Sequence, residues 1–237
     1  MRAYVGIGGN WEFKLSEAVL VYRAGGREAF ASLHRVKQDD SGVPYLAPGE
    51  SLTTAFVRSL AQGLGAQVQP EIFPDYVLAR TPDLLVWWSP PQLRVMFFGG
   101  TDQEARKLNG LVFPNPALVF KVLGEDLFVR AMATSSRPRP ETHLKTAPYW
   151  NTDSRGLVCA GSMRVPESSD IASIPAWQDA YFQSQFTHAA GAVRLTSHPE
   201  GFIGLWTSLA GRKRFPAQYL TDASETFQEF VACGSER

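Results

Sequence analysis

Between Tyr76 and Met132 the chain runs through YVLA, DLLVWWS, QLRVMFF, ALVFKVL and DLFVRAM, short segments rich in β-branched, aliphatic and aromatic residues. Such runs suit strands, and two of the joins, SPPQ and GED, are turn formers too short to hold a helix. Strands joined this closely pair antiparallel, because a parallel partner needs a crossover of a dozen or more residues. The stretch therefore predicts an antiparallel meander of about four strands.

Upstream, SLTTAFVRSLAQGL over Ser51 to Leu64 places Leu52, Phe56, Leu60 and Leu64 on one helical stripe. Glu50 or Ser51 supplies the N-cap and Gly65 the stop. In the amino-terminal part, WEFKLSEAVLVYR and EAFASLHRV flank Ala24, Gly25 and Gly26, which predicts a hairpin with its loop at the glycines; DDSGVPYLAPGE then reads as a loop. The expected organisation is a β-rich element over residues 1–46 followed by an α+β domain over residues 47–237.

Beyond Met132 the sequence ATSSRPRPETHLKTAPYWNTDSRG is polar, carries Pro138, Pro140 and Pro148, and has no period. Long loops of this kind in compact domains tend to carry function. SIPAWQDAYFQSQF predicts a helix started by Ser173 and Pro175, with Trp177, Tyr181, Phe182 and Phe186 at helical spacings. GFIGLWTSL fits either strand or helix, and Asp222 to Ala232 reads as a terminal helix capped at Thr221 or Asp222.

With 237 residues and 44% hydrophobic content, the chain can bury one sizeable core. Lys+Arg and Asp+Glu both number 23, and the densest basic cluster is Arg212 to Arg214, so nucleic-acid binding is not expected. No apolar run approaches the ~18 residues of a membrane span, and MRAYVGIGGNWEF lacks the apolar core of a secretory signal, so a cytoplasmic location is expected. Two cysteines, Cys159 and Cys233, without a CxxC pair, fit a reducing compartment and argue against a disulfide framework or zinc knuckle. GIGGN at Gly6 to Asn10 lacks the GK[ST] and strand–helix setting of a phosphate loop. No metal or organic cofactor is expected of the chain.

Cys159 in LVCA suits either a small buried hydrophobe or a displayed thiol. It follows the turn-rich NTDSRG and precedes Ala160, Gly161 and Ser162, which leaves the backbone around it uncrowded. A free thiol, with pKa ~8.5, is already a few per cent thiolate near neutrality, so a dedicated general base is less necessary than for serine.

Asn151, Gly156, Val158 and Cys159 follow the order and the eight-residue step from asparagine to catalytic cysteine of the ubiquitin-conjugating enzymes, and Pro138 and Pro140 mirror that family's paired prolines. From Ser51 to Phe186 the order of elements is similar as well. The chain differs in Tyr149 and Trp150, which stand where the family has His-Pro. RPRPETHLKTAPYWNTDSRGLVCAGSMRVP, with WQDAYFQSQFTH, more closely resembles a bacterial branch, the prokaryotic ubiquitin-conjugating family D. The resemblance implies a ubiquitin-conjugating-like fold: a helix, an antiparallel four-strand meander, an active-site loop and carboxyl-terminal helices. It implies a thioester between Cys159 and a ubiquitin-like protein, and neighbours in a mobile-element cassette: a ThiF-like adenylating enzyme, a JAB-type metalloprotease and a ParB-related protein.

By position in the match Asn151 is the oxyanion donor, while an asparagine before Thr-Asp-Ser equally suits an Asx turn. Asp153 is a turn residue or a group that orients or deprotonates the incoming lysine. Trp150 packs the loop down or forms a docking surface. His143 and His188 are the histidines nearest the cysteine in sequence; His188 ends an apparent helix, where a cation favours the dipole. Two rivals stand beside the transferase reading: a non-catalytic scaffold of the same fold, and a cysteine hydrolase pairing Cys159 with His143 or His188.

Overall fold

The computed structural model describes residues 15–24, 28–63, 72–81, 83–191 and 193–232. The GIGGN stretch, the loop at Gly25 and Gly26, Gly65 and Cys233 lie outside the described residues. The chain divides into two compact units, Met1–Glu71 and Ile72–Arg237.

In the first unit, β1 (Glu17–Ala24) and β2 (Glu28–Gln38) pair antiparallel from Glu17 opposite Arg35 to Ala24 opposite Glu28, the hairpin that the glycines predict. The following loop is tightened by the Asp39 carboxylate, which accepts the backbone N–H groups of Ser41 and Val43 at 2.9 and 2.8 Å. Two short strands, β3 (Pro44–Leu46) and β4 (Glu50–Ser51), then pair back on β2. Glu50 and Ser51 are thus strand residues, and the expected cap shifts: Thr53 Oγ1 accepts Phe56 N–H at 3.1 Å at the start of α1 (Thr54–Gly63). On that helix Phe56 is half-buried while Val57 and Leu60 remain exposed.

The second unit carries β5 (Val77–Arg80), β6 (Leu84–Ser89), β7 (Gln92–Phe98), α2 (Gln103–Lys107), β8 (Leu111–Asn115), β9 (Ala117–Leu123), β10 (Asp126–Met132), β11 (His143–Thr146), α3 (Ile174–Phe182), β12 (Gln185–Phe186), α4 (Gly201–Leu209), β13 (Asp222–Thr226) and α5 (Phe227–Ala232). A six-stranded antiparallel sheet has the order β13-β11-β10-β9-β6-β5, and a smaller sheet has the order β12-β7-β8. The architecture is α+β with few helices, and its strands pair antiparallel except for the short parallel pair of β12 with β7.

The simple meander is corrected at one place. QLRVMFF leaves the main sheet, so that β6 pairs with β9, from Leu84 opposite Leu123 to Ser89 opposite Leu118. Pro90 and Pro91 form the join, and two consecutive residues without N–H donors cannot continue a ladder. β7 instead pairs with β8, a strand hidden from pattern reading by Pro114 within it.

The main sheet is buried on both faces because its strands alternate two apolar sets. Leu85 and Trp87 of β6, Phe120 and Val122 of β9, and Leu127 and Val129 of β10 join an aromatic core with α3 and α4. Leu84, Val86, Val119 and Phe128 face the other way, beneath Phe227 and Phe230 of α5. Lys121, only 1% exposed, lies between the rings of Phe128 and Phe230, each centroid 4.5 Å from Nζ, and donates to the Phe230 carbonyl at 2.7 Å. A buried ammonium is tolerable here because the helix-end carbonyl and two ring faces replace water.

The carboxyl-terminal expectations change in part. GFIGLWTSL is helix α4, and α3 stops at Phe182, leaving Phe186 on β12. Asp222 to Ala232 is not one helix: its first half is β13, paired with β11. Helix α5 opens with a capping box, in which the Glu229 carboxylate accepts Thr226 N–H at 2.7 Å and Thr226 Oγ1 accepts Glu229 N–H at 3.3 Å. Among the described residues no helix is long and apolar enough to cross a membrane.

Candidate active site

β11 covers β10 only at Arg130 and Ala131. The rest of that edge is taken by a tight hairpin, in which Thr152 bridges Val158 and Leu157 bridges Phe128. Val129 N–H donates to the Gly156 carbonyl and Val158 N–H to the Leu127 carbonyl, both at 2.8 Å. Only glycine fits at position 156: φ is +85°, and a β-carbon would stand 2.8 Å from the Val129 carbonyl oxygen.

Asp153 fastens the hairpin from within. Its Oδ1 accepts the N–H groups of Arg155 and Leu157 at 2.8 and 2.9 Å, and its Oδ2 accepts Arg155 Nε and Nη2 at 3.0 and 2.9 Å. Arg130 supports it from below: the side chain is 3% exposed, Nη2 donates to the Ser154 carbonyl at 2.8 Å, and Nε donates to Glu225 Oε1 of β13 at 2.5 Å.

Cys159 leaves this hairpin exposed, although its neighbours Val158 and Met163 are buried. Its backbone is held where its side chain is free: Cys159 N–H donates to the Asn151 carbonyl at 2.8 Å. The thiol is therefore not the small core residue that LVCA also permits.

Asn151 is 5% exposed and adopts φ +60°, a left-handed conformation that asparagine tolerates better than most residues. Its carboxamide ties the thiol loop to the segment after α3: Nδ2 donates to the Gln185 carbonyl at 2.7 Å, while Oδ1 accepts Thr187 N–H at 3.1 Å and Thr187 Oγ1–H at 3.0 Å. Asn151 N–H donates to the His188 carbonyl at 2.8 Å. On the other side of the cysteine, Ser162 Oγ accepts Gln185 N–H at 2.8 Å. The segment Gln185–His188 thus straps the loop down both before and after Cys159.

The preceding residues bolt the loop into the core. Trp150, 8% exposed, stacks on Phe202 with centroids 4.6 Å apart and meets Phe98 edge-on. Tyr149 is fully buried, donates its hydroxyl to Asn115 Oδ1 at 2.5 Å, and touches Tyr181, Phe186 and Trp206. Burial pushes the Tyr149 phenol well above its ordinary pKa, with Tyr181 adding to the shift, so the hydroxyl stays a donor. Trp206 Nε1 donates to the Pro148 carbonyl at 3.1 Å. Where the ubiquitin-conjugating motif has His-Pro, this chain has an aromatic clamp.

The two histidines part company. His188 is exposed at the strap and shares a hydrogen bond between its Nδ1 and Thr187 Oγ1. His143 lies on β11 opposite Thr226. Lys145 faces Ala131 while Val158 bonds Leu127, an offset of about 13 Å along β10, and His143 lies farther still. The structure does not bring His143 to the thiol. Among the described residues neither histidine hydrogen-bonds Cys159.

Sequence reasoning missed Ser162, Gln185, Thr187, Asn115 and the α4 aromatics as supports of the loop. For α4 a signal existed, since Phe202 and Trp206 are four residues apart on one helical face.

The family model described as prokaryotic E2 family D matches residues 53–223. The chain belongs to this family. The match spans α1, both sheets of the second unit, the cysteine hairpin and α4, ending within β13. No curated protein and no solved structure matches the chain. Membership places the family D chain among ubiquitin-conjugating-like proteins.

Proposed function

We propose that this family D chain carries a ubiquitin-like protein as a thioester on Cys159 and passes it to an amine. The observation that carries the reading is an exposed thiol whose backbone is held by Asn151, on a loop that Ser162 ties to Gln185, in a family D framework. Cys159 thiolate attacks the carbonyl carbon of the thioester on an activating enzyme, whose thiolate leaves, so one thioester replaces another. An amine then attacks the Cys159 thioester, losing a proton to solvent; the amide forms and Cys159 leaves as thiolate. Because thioester exchange is nearly balanced, the site must chiefly admit two macromolecules and hold the sulfur in place, which an exposed thiol on a pinned backbone supports.

Within this reading Asn151 positions Cys159 and offers its second Nδ2 hydrogen to the oxyanion, Trp150 holds the loop to α4, and Asp153 keeps the hairpin closed. The resemblance to the prokaryotic ubiquitin-conjugating family D supports a ThiF-like adenylating enzyme as donor, a ubiquitin-like protein as cargo, and a JAB-type metalloprotease and a ParB-related protein as cassette companions in the cytoplasm. The helix-plus-meander arrangement of ubiquitin-conjugating enzymes is part of the same proposal.

A second reading, a scaffold that binds the ubiquitin-like protein without carrying it, is favoured by the aromatic clamp in place of His-Pro and by the commitment of the Asn151 carboxamide to the strap. The experiment that decides mixes the protein with ATP, the ThiF-like enzyme and the ubiquitin-like protein. On a non-reducing gel, an adduct removed by dithiothreitol and absent in Cys159→Ala is expected. A charged activating enzyme with no adduct selects the scaffold.

A further inference from the structure

Arg212, Lys213 and Arg214 follow α4, and all three are exposed. Among the described residues none of these side chains has an acidic partner. In a chain with equal numbers of acidic and basic residues, three adjacent unpaired cations are a local excess. The turn is fixed, since Arg212 N–H donates to the Leu209 carbonyl at 3.0 Å at the end of α4.

Lys213 and Arg214 line an open cleft of about 720 Å³, within the size range of ligand clefts. The cleft is also lined by Pro91 and Pro116 in the β6–β7 and β8–β9 turns, by the paired strand residues Leu93 of β7 and Pro114 of β8, and by Thr134 and Ser135 after β10. No carboxylate is among its lining residues. The prolines hold φ fixed, so that part of the lining loses little freedom when something binds. Leu93 is 52% exposed, leaving an apolar surface beside the hydroxyls and cations.

We propose that this cleft binds an extended acidic segment of a partner protein, with carboxylates against Lys213 and Arg214 and an apolar side chain on Leu93 and the prolines. A peptide fits better than a nucleic acid. Single strands require a cationic track with aromatic faces for the bases, whereas here two cations meet prolines, hydroxyls and one half-buried ring, Phe215. The site makes no use of Cys159 chemistry and stands apart from the thioester reading.

The test is fluorescence anisotropy on the full chain with a short labelled peptide of alternating Glu and Leu, its Gln and Leu counterpart, and labelled oligothymidylate. The Glu peptide is expected to bind, to weaken as salt rises, and to weaken by about tenfold or more in Lys213→Glu/Arg214→Glu. Ala133→Trp, at an exposed lining position, should block the cleft without changing charge, while Lys37→Glu in the first unit should leave binding unchanged. Circular dichroism verifies that each variant is folded, and the charge reversal carries the test alone if Ala133→Trp is not. No binding of the Glu peptide, equal binding of the Gln peptide, undiminished binding by the charge reversal or by folded Ala133→Trp, loss in Lys37→Glu, or tighter binding of oligothymidylate overturns the proposal.

Discussion

Replacing Gly156 by alanine isolates how the cysteine hairpin is docked on β10. Two costs arise. The left-handed backbone, φ +85°, is unfavourable for any residue with a β-carbon, by about 1 kcal/mol. The new β-carbon would also meet the Val129 carbonyl oxygen at 2.8 Å, a backbone atom that moves only with its strand. Relieving that contact breaks the bond from Val129 N–H to the Gly156 carbonyl, costing roughly 1–2 kcal/mol more. The sum is about 2–3 kcal/mol, or a fall in Tm of roughly 4–12 °C at this chain length. Gly124→Ala is the matched comparison: φ is +62° and nothing lies within 4 Å of its β-carbon, so it bears the backbone cost alone. Its Tm should fall by about 2–4 °C. Scanning calorimetry of both variants beside the wild type reads the difference. Equal shifts would refute the argument, because they would mean that the hairpin yields around the β-carbon without cost.

Asn151→Gly should destabilise less than Asn151→Ala by about 1 kcal/mol in urea unfolding, since both lose the carboxamide bonds to Gln185 and Thr187 but only alanine is strained at φ +60°. Glu225→Gln leaves the Arg130 guanidinium buried beside a neutral partner and should cost about 3 kcal/mol, with faster hydrogen exchange at Val129 and Val158 as the local readout. The Asp222 carboxyl is held below its usual pKa, first by its hydrogen bond with Lys145 and then by that ammonium's charge. A depressed carboxylate stabilises the fold at pH above the unfolded value and ceases to as pH falls through the folded one, so Asp222→Asn should flatten the loss of stability below about pH 4, measured by urea midpoints across pH.

Much of the second unit was legible because its strands announce themselves. The apolar alternation of DLLVWWS, ALVFKVL and DLFVRAM marked β6, β9 and β10, and all three pair in the main sheet. The departure of β7 was not legible, since a two-proline join reads as a hairpin turn whichever sheet receives the next strand. Asp222–Thr226 read as helix because Thr221 and Asp222 are good caps; pairing with β11 outweighed that local preference. At the site, the step from Asn151 to Cys159 was visible in spacing, and the exposure of the thiol separates its two sequence-level alternatives. The strap was invisible, because Gln185 and Thr187 meet Asn151 across 34 and 36 residues with no pattern to mark them.

The bond between Arg130 and Glu225 spans 95 residues of chain. A ribosome adding 5–20 residues per second makes Arg130 roughly 5–20 s before its carboxylate partner exists. During that interval the strand beneath the cysteine hairpin holds a guanidinium with no counter-ion, and the sheet lacks β13 and the helix that roofs Phe128. The sheet on which the Cys159 hairpin rests is therefore complete only once translation has passed Phe230.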